Sequence, residues 1–153
     1  MKRPIYLSLT AAALLAINPA TSYCGPIEIP KLVDRFKAAT DLQRREMRKN
    51  TFNKEAVGSG SVANVDSYDL YDEANDRRWK YYRVVGEIQN SPDGNPYRII
   101  VLYRDEKKAK NVNRGQKVEN TGHVMKIDDE YMHISVWLHD GAITPGEERV
   151  MRY

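Results

Sequence analysis

The chain has 153 residues, 41% of them hydrophobic and 29% charged, which is the size and balance of one folded domain. That composition excludes a disordered polyelectrolyte and a chain held mostly in lipid. The formal charge of +3 gives no strong general pull toward nucleic acid or anionic membranes, and it falls to +1 if Lys2 and Arg3 are removed with a leader.

Residues 1–22 read as that leader. Lys2 and Arg3 precede an apolar run, Leu7 to Ile17, broken only by Ser8 and Thr10. Asn18 and Pro19 then stop a helix, and Ala20-Thr21-Ser22 supplies small residues. This is the three-part pattern of a secretory signal, with cleavage expected near Ser22 and a periplasmic or secreted product. The apolar run is too short to cross a bilayer comfortably, and no transmembrane helix is expected in the mature chain. Cys24 is not expected to carry a lipid anchor, because Tyr23 stands where a small residue is needed. A single cysteine also excludes an intramolecular disulfide.

Residues 23–30 form an extended, Pro-bracketed lead. Residues 31–50 are expected to be helical. Leu32, Val33 and Phe36 repeat at a helical interval, and Thr40-x-x-Gln43 is a capping box opening a second, basic segment.

From residue 51 to 140 the pattern is β. Val57–Val65, Trp79–Gln89, Tyr97–Tyr103, Lys117–Ile127 and Tyr131–Leu138 read as five strands. Ser91 to Pro96 is a turn, and Asp105–Asn113 has the composition of a helical turn. Gly60-x-Val62-x-x-Val65-Asp66 is echoed by Gly122-x-Val124-x-x-Ile127-Asp128. The x-x spacing breaks strict alternation, as a β-bulge does, and a glycine within a strand marks a bend or a close backbone approach. Residues 141–153 read as an irregular tail containing Gly141, Pro145 and Gly146.

The run Asn113-Arg114-Gly115-Gln116-Lys117-Val118, followed by Gly122-x-Val124, resembles the entry to strand four in OB domains of the tRNA-anti-like class. Gly60-x-Val62-x-x-Val65 is similar to the partner motif of its first strand, and a leading helix carrying Gln43-Arg44 is similar to that of exported bacterial members. The resemblance covers roughly residues 40 to 139. It implies a mainly β (α+β) fold: a five-stranded OB-type Greek-key barrel preceded by one or two short helices. It implies no catalytic residues, and fold alone does not supply function.

OB domains usually bind across strands two and three, which makes Trp79, Tyr81, Arg83, Tyr97, Arg98 and Tyr103 the candidates for a ligand face. Aromatics interleaved with arginines would suit a single-stranded nucleic acid or an oligosaccharide. Acids crowd both expected rims: Asp66, Asp69, Asp72, Glu73 and Asp76 between strands one and two, and Asp128, Asp129 and Glu130 between four and five. Phosphates are repelled there, so nucleic acid is disfavoured and a basic protein partner fits better. The acidic spacing does not match a calcium-binding loop. His123 and His133 fall on neighbouring strand candidates and His139 just beyond strand five, without zinc-ligand spacing. His133 and Ser135 share a strand face but lack a third group and an oxyanion hole. The basic tracts around Arg44 and Lys107 read as solvated faces. The sequence therefore points to a non-enzymatic envelope binding module with no cofactor and no metal, whose partner is an envelope protein. The alternative is an OB-fold that binds single-stranded nucleic acid or oligosaccharide.

Overall fold

The computed structural model describes residues 25–151; the expected leader, residues 1–22, and Cys24 lie outside the described residues. A short strand β1 (Ile27–Glu28) leads into α1 (Ile29–Ala38), which has Pro30 in its first turn and buries Ile29, Leu32, Val33 and Phe36. Proline is tolerated there because the first-turn N–H groups have no helical acceptor.

The second helix, α2 (Asp41–Thr51), opens with both bonds of the capping box: Thr40 N–H donates to Gln43 Oε1 at 2.9 Å, and Gln43 N–H to Thr40 Oγ1 at 3.4 Å. Arg44 and Arg48 are structural rather than merely solvated. Arg44 donates to the Phe36 and Lys37 carbonyls, Arg48 donates to the Ile127 carbonyl, and both guanidinium groups lie over the Phe36 ring.

The remaining elements are β2 (Glu55–Asp72), β3 (Arg77–Gly86), β4 (Gln89–Asn90), β5 (Pro96–Tyr103), α3 (Glu106–Lys110), β6 (Lys117–Asp129), β7 (Ile134–His139) and α4 (Pro145–Met151). The fold is mainly β with short helices. β2 pairs with β6 through its first half and with β3 through its second. β3 pairs with β5, β5 lies parallel to β7, and β7 pairs with β6, so the pairings return to β2 and the five long strands close on themselves.

Both bulges fall inside the sequence echo, between Val62 and Asn64 and between Val124 and Lys126. A Cβ on Gly122 would sit 2.5 Å from the His139 carbonyl oxygen, so that glycine permits the close approach of β6 to β7. Gly115, at φ +79°, turns the chain into β6 while its N–H donates to Val62 and Val62 N–H donates to Gln116.

Alternate residues of each strand serve different cores. Tyr97, Ile99 and Val101 of β5 and Ile134, Val136 and Leu138 of β7 pack with α1, and Tyr103 continues this interior to Val62, Val84 and Ala109 of α3. Ile100, Leu102 and Trp137 face outward and join Tyr81, Met125, Ile143 and Met151 in a second core. The outer face of the sheet is therefore partly covered by the chain that follows β7.

Segments also differ from the sequence reading: Tyr131 and Met132, expected to open the fifth strand, lie in the turn before β7. The acidic stretch after Val65 continues as strand to Asp72, because β3 sets a cation opposite each of three acids: Asp66↔Arg83, Asp69↔Lys80 and Asp72↔Arg77. The stretch expected as an irregular tail contains α4. Thr144 and Glu147 stand in capping-box spacing with Pro145 at the first helical position, and the Thr144 N–H and hydroxyl both donate to the Glu147 carboxylate. Among the described residues no helix is long and apolar enough to cross a membrane.

Candidate functional site

The register puts Trp79, Tyr81 and Arg83 of β3 and Arg98 of β5 on the outer face, which they share with Ile100, Leu102 and Trp137. Tyr97 and Tyr103 alternate to the opposite side and belong to the interior. Four of the six ligand-face candidates are thus brought together and two are not.

The face they share is occupied. Tyr81 is 1% exposed, and its hydroxyl donates to Glu147 Oε1 at 2.9 Å. Burial, and then the Glu147 carboxylate, push the Tyr81 phenol well above its ordinary range. Arg104 of the β5 end donates through Nε to the same oxygen at 2.8 Å and through Nη2 to Oε2. Thr144 adds two donors, and His139 Nε2 lies 3.2 Å from Oε1. Burial pushes the Glu147 carboxyl up, but the bonds from Arg104, Thr144 and Tyr81 outweigh it and bring it down to about 2. Every lone-pair direction of this carboxylate is used, so it fixes α4 across the sheet and has no capacity left for a ligand.

The other aromatics are also engaged. Arg77 lies 3.8 Å from the Trp79 ring centroid, and Gly146 of α4 sits beside that ring. Trp137 is buried between Tyr68, whose ring centre is 5.7 Å away, and the Lys126 ammonium at 4.4 Å. Arg83 reaches over Tyr68 and is held by a two-point bond to Asp66 at 2.9 and 2.7 Å. Those bonds raise the Arg83 guanidinium above its ordinary value, with burial opposing them. The rings of Trp79, Tyr81 and Trp137 on this face are thus engaged within the fold.

The acids are distributed rather than pooled. Since β2 and β6 are antiparallel, the β2–β3 and β6–β7 turns lie at opposite ends of the barrel. At the first, Asp69 lies 4.0 Å from Arg78, and Asp72 closes the turn by accepting from Ala74 and Asn75. Hydrogen bonding from Asn75, opposed by burial, keeps the Asp72 carboxyl below its usual range. Asp76 has φ +47° and accepts from the Tyr71 hydroxyl, while Glu73 is exposed. At the second turn, Asp128 pairs with Lys126 at 2.9 Å, and Asp129 pairs with Arg44 at 2.9 Å and Lys37 at 3.5 Å.

The turn between β6 and β7 carries what the sequence reading missed. Tyr131 is 100% exposed and Met132 is 70% exposed. On either side Glu130 and His133 close the turn by a backbone bond of 2.9 Å, and Ser135 Oγ donates to Glu130 Oε1 at 2.8 Å. Arg44 braces the base by joining Asp129 to the α1 carbonyls. An apolar pair between two strands reads as strand interior, so only the Asp128-Asp129-Glu130 run marked a turn nearby.

His133 is buried, and its Nε2 accepts from Arg98 Nε at 2.7 Å while lying 2.9 Å from Glu130 Oε2. Ser135 donates to the Glu130 carboxylate and not to the imidazole. At the far end of β7, His139 stands opposite His123. Among the described residues, no group of three or more His, Cys, Asp or Glu side chains gathers where a metal ion could be held.

The chain matches no protein-family model and no curated protein.

Proposed function

We propose that the chain is an exported, OB-type barrel that acts without catalysis as a periplasmic binding module, docking an envelope protein through the tip of the β6–β7 hairpin. The leader-like residues 1–22 support the compartment. The strand order β2-β3-β5-β7-β6, closing back on β2, with β5 parallel to β7 and a short helix between β5 and β6, supports the OB-type reading. The likeness to the tRNA-anti-like class rests on the Arg114-Gly115-Gln116-Lys117-Val118 entry to β6.

One observation carries the docking surface. The strand aromatics are consumed by internal contacts, whereas Tyr131 and Met132 stand out together on a turn braced from two helices. A tyrosine beside a methionine is the composition of an interface anchor. Bracing means that little conformational freedom is lost on docking. The neighbouring acids suit a partner pocket with a basic rim.

The test is capture of envelope proteins by the mature chain beside its Tyr131→Ser, Met132→Ser variant. The proposal expects a partner retained by the first and lost by the second. It also expects no salt-dependent binding of a single-stranded oligonucleotide. Equal capture by both chains, or tight oligonucleotide binding, contradicts it.

A further inference from the structure

We infer that His133, Arg98 and Glu130 form a proton-operated latch at the base of the β6–β7 tip; the link to docking rests on the function proposed above. The geometry is a conflict at a single atom. His133 Nε2 has Arg98 Nε 2.7 Å away on one side and Glu130 Oε2 2.9 Å away on the other.

These partners need opposite protonation states. An arginine N–H can only donate, so Arg98 requires a bare lone pair on Nε2. A carboxylate can only accept, so Glu130 requires Nε2–H. In the neutral ring that holds Arg98, the proton resides on Nδ1, a buried atom without a hydrogen-bond partner. Protonation adds a hydrogen at Nε2, transfers that nitrogen from Arg98 to Glu130, and releases the guanidinium on the outer face.

The surroundings favour the neutral state at rest. Burial lowers the His133 imidazole below its ordinary value, Arg98 lowers it further, and Glu130 opposes both. The charged groups facing the ring are Arg98 from β5 and Glu130 from its own turn. At the end of β6, Asp128 and Asp129 are held by Lys126 and by Arg44 and Lys37. Ser135 fixes the other oxygen of Glu130, so the carboxylate is already aimed when the proton arrives.

Tyr131 and Met132 lie between Glu130 and His133 in the chain, so the latch changes the charge next to the docking tip. The proton adds one positive charge there, on His133 beside Glu130, and weakens attachment to a basic-rimmed partner as pH falls.

The experiment is a pH titration of the mature chain by NMR, following the His133 ring nitrogens and the Arg98 Nε–H. The Arg98 signal is expected to be protected while His133 is neutral and to disappear in step with its protonation. Arg98→Gln should move the His133 midpoint up and Glu130→Gln should move it down. An Arg98 signal that does not follow His133, or a midpoint unmoved by both variants, overturns the latch. These readouts need no partner. Partner capture that is insensitive to Tyr131→Ser, Met132→Ser counts against the docking reading alone.

Discussion

At one end of the outer sheet face, Glu147 meets Arg104, His139 and two hydroxyls; at the other, Glu130 meets His133 and Ser135, with Arg98 alongside. The residue types are nearly the same. In the first cluster every carboxylate lone pair has a donor, and the outcome is a fixed helix. In the second, one imidazole nitrogen is shared by a donor and an acceptor that cannot both be served. The His139 Nδ1 of the first cluster also faces both the Gly141 N–H and the Gly141 carbonyl, so it is the fully satisfied carboxylate that separates the anchor from the switch.

The largest expected effect falls on the anchor. Glu147→Ala removes the shared acceptor of Tyr81, Arg104 and Thr144 and should cost about 3 kcal/mol in urea unfolding. A loss under about 1 kcal/mol would show that the two clusters do not differ in kind.

Acid should weaken the same anchor. The Glu147 carboxyl is depressed from 4.5 to about 2, so its contribution is complete above the unfolded value and is lost as pH falls through the folded one. Between pH 6 and pH 3 this should amount to about 2 kcal/mol, and the pH dependence should shrink in Glu147→Gln. Unfolding midpoints that fall equally in both chains would place the acid sensitivity elsewhere.

The second cluster should respond more weakly and in a higher pH range. Its imidazole is also depressed, so stability is held above the ordinary histidine value of 6.5 and lost as pH falls below it. His133→Asn should remove this small component. If the dependence persists in that variant, the imidazole is not its source.

The tip should matter least to stability. Tyr131→Ser should leave unfolding within about 0.5 kcal/mol of the parent, because the side chain is 100% exposed. Measured in parallel, its partner affinity should drop at least about tenfold. A stability loss without an affinity loss would make the tip a structural feature.

Much of the barrel was legible from residues. The Gly-x-Val-x-x-(Val/Ile)-Asp echo located both register shifts, and Thr40-x-x-Gln43 located the start of α2. The continuation of β2 was hidden because Asp66, Asp69 and Asp72 look like a loop until β3 places Arg83, Lys80 and Arg77 opposite them. Thr144-Pro145-Gly146-Glu147 did carry a helix-start signal, but Pro and Gly together masked it as irregular chain. The candidate site was legible only in part. Alternation puts Tyr97 and Tyr103 on one side of β5, but only the register Tyr82↔Tyr103 sets Tyr81 on the other side, and which face α4 covers depends on Glu147 reaching Tyr81 across 66 residues of sequence.

Photo-crosslinking in the intact protein tests the central claim most directly, with the reactive group placed at position 131 or at position 71. Tyr71 is also exposed, but it belongs to the opposite end of the barrel and is tied to Asp76. A discrete envelope-protein adduct from position 131, absent from position 71, is the predicted result. Adducts from position 71 alone would contradict the assignment of the β6–β7 tip as the docking surface.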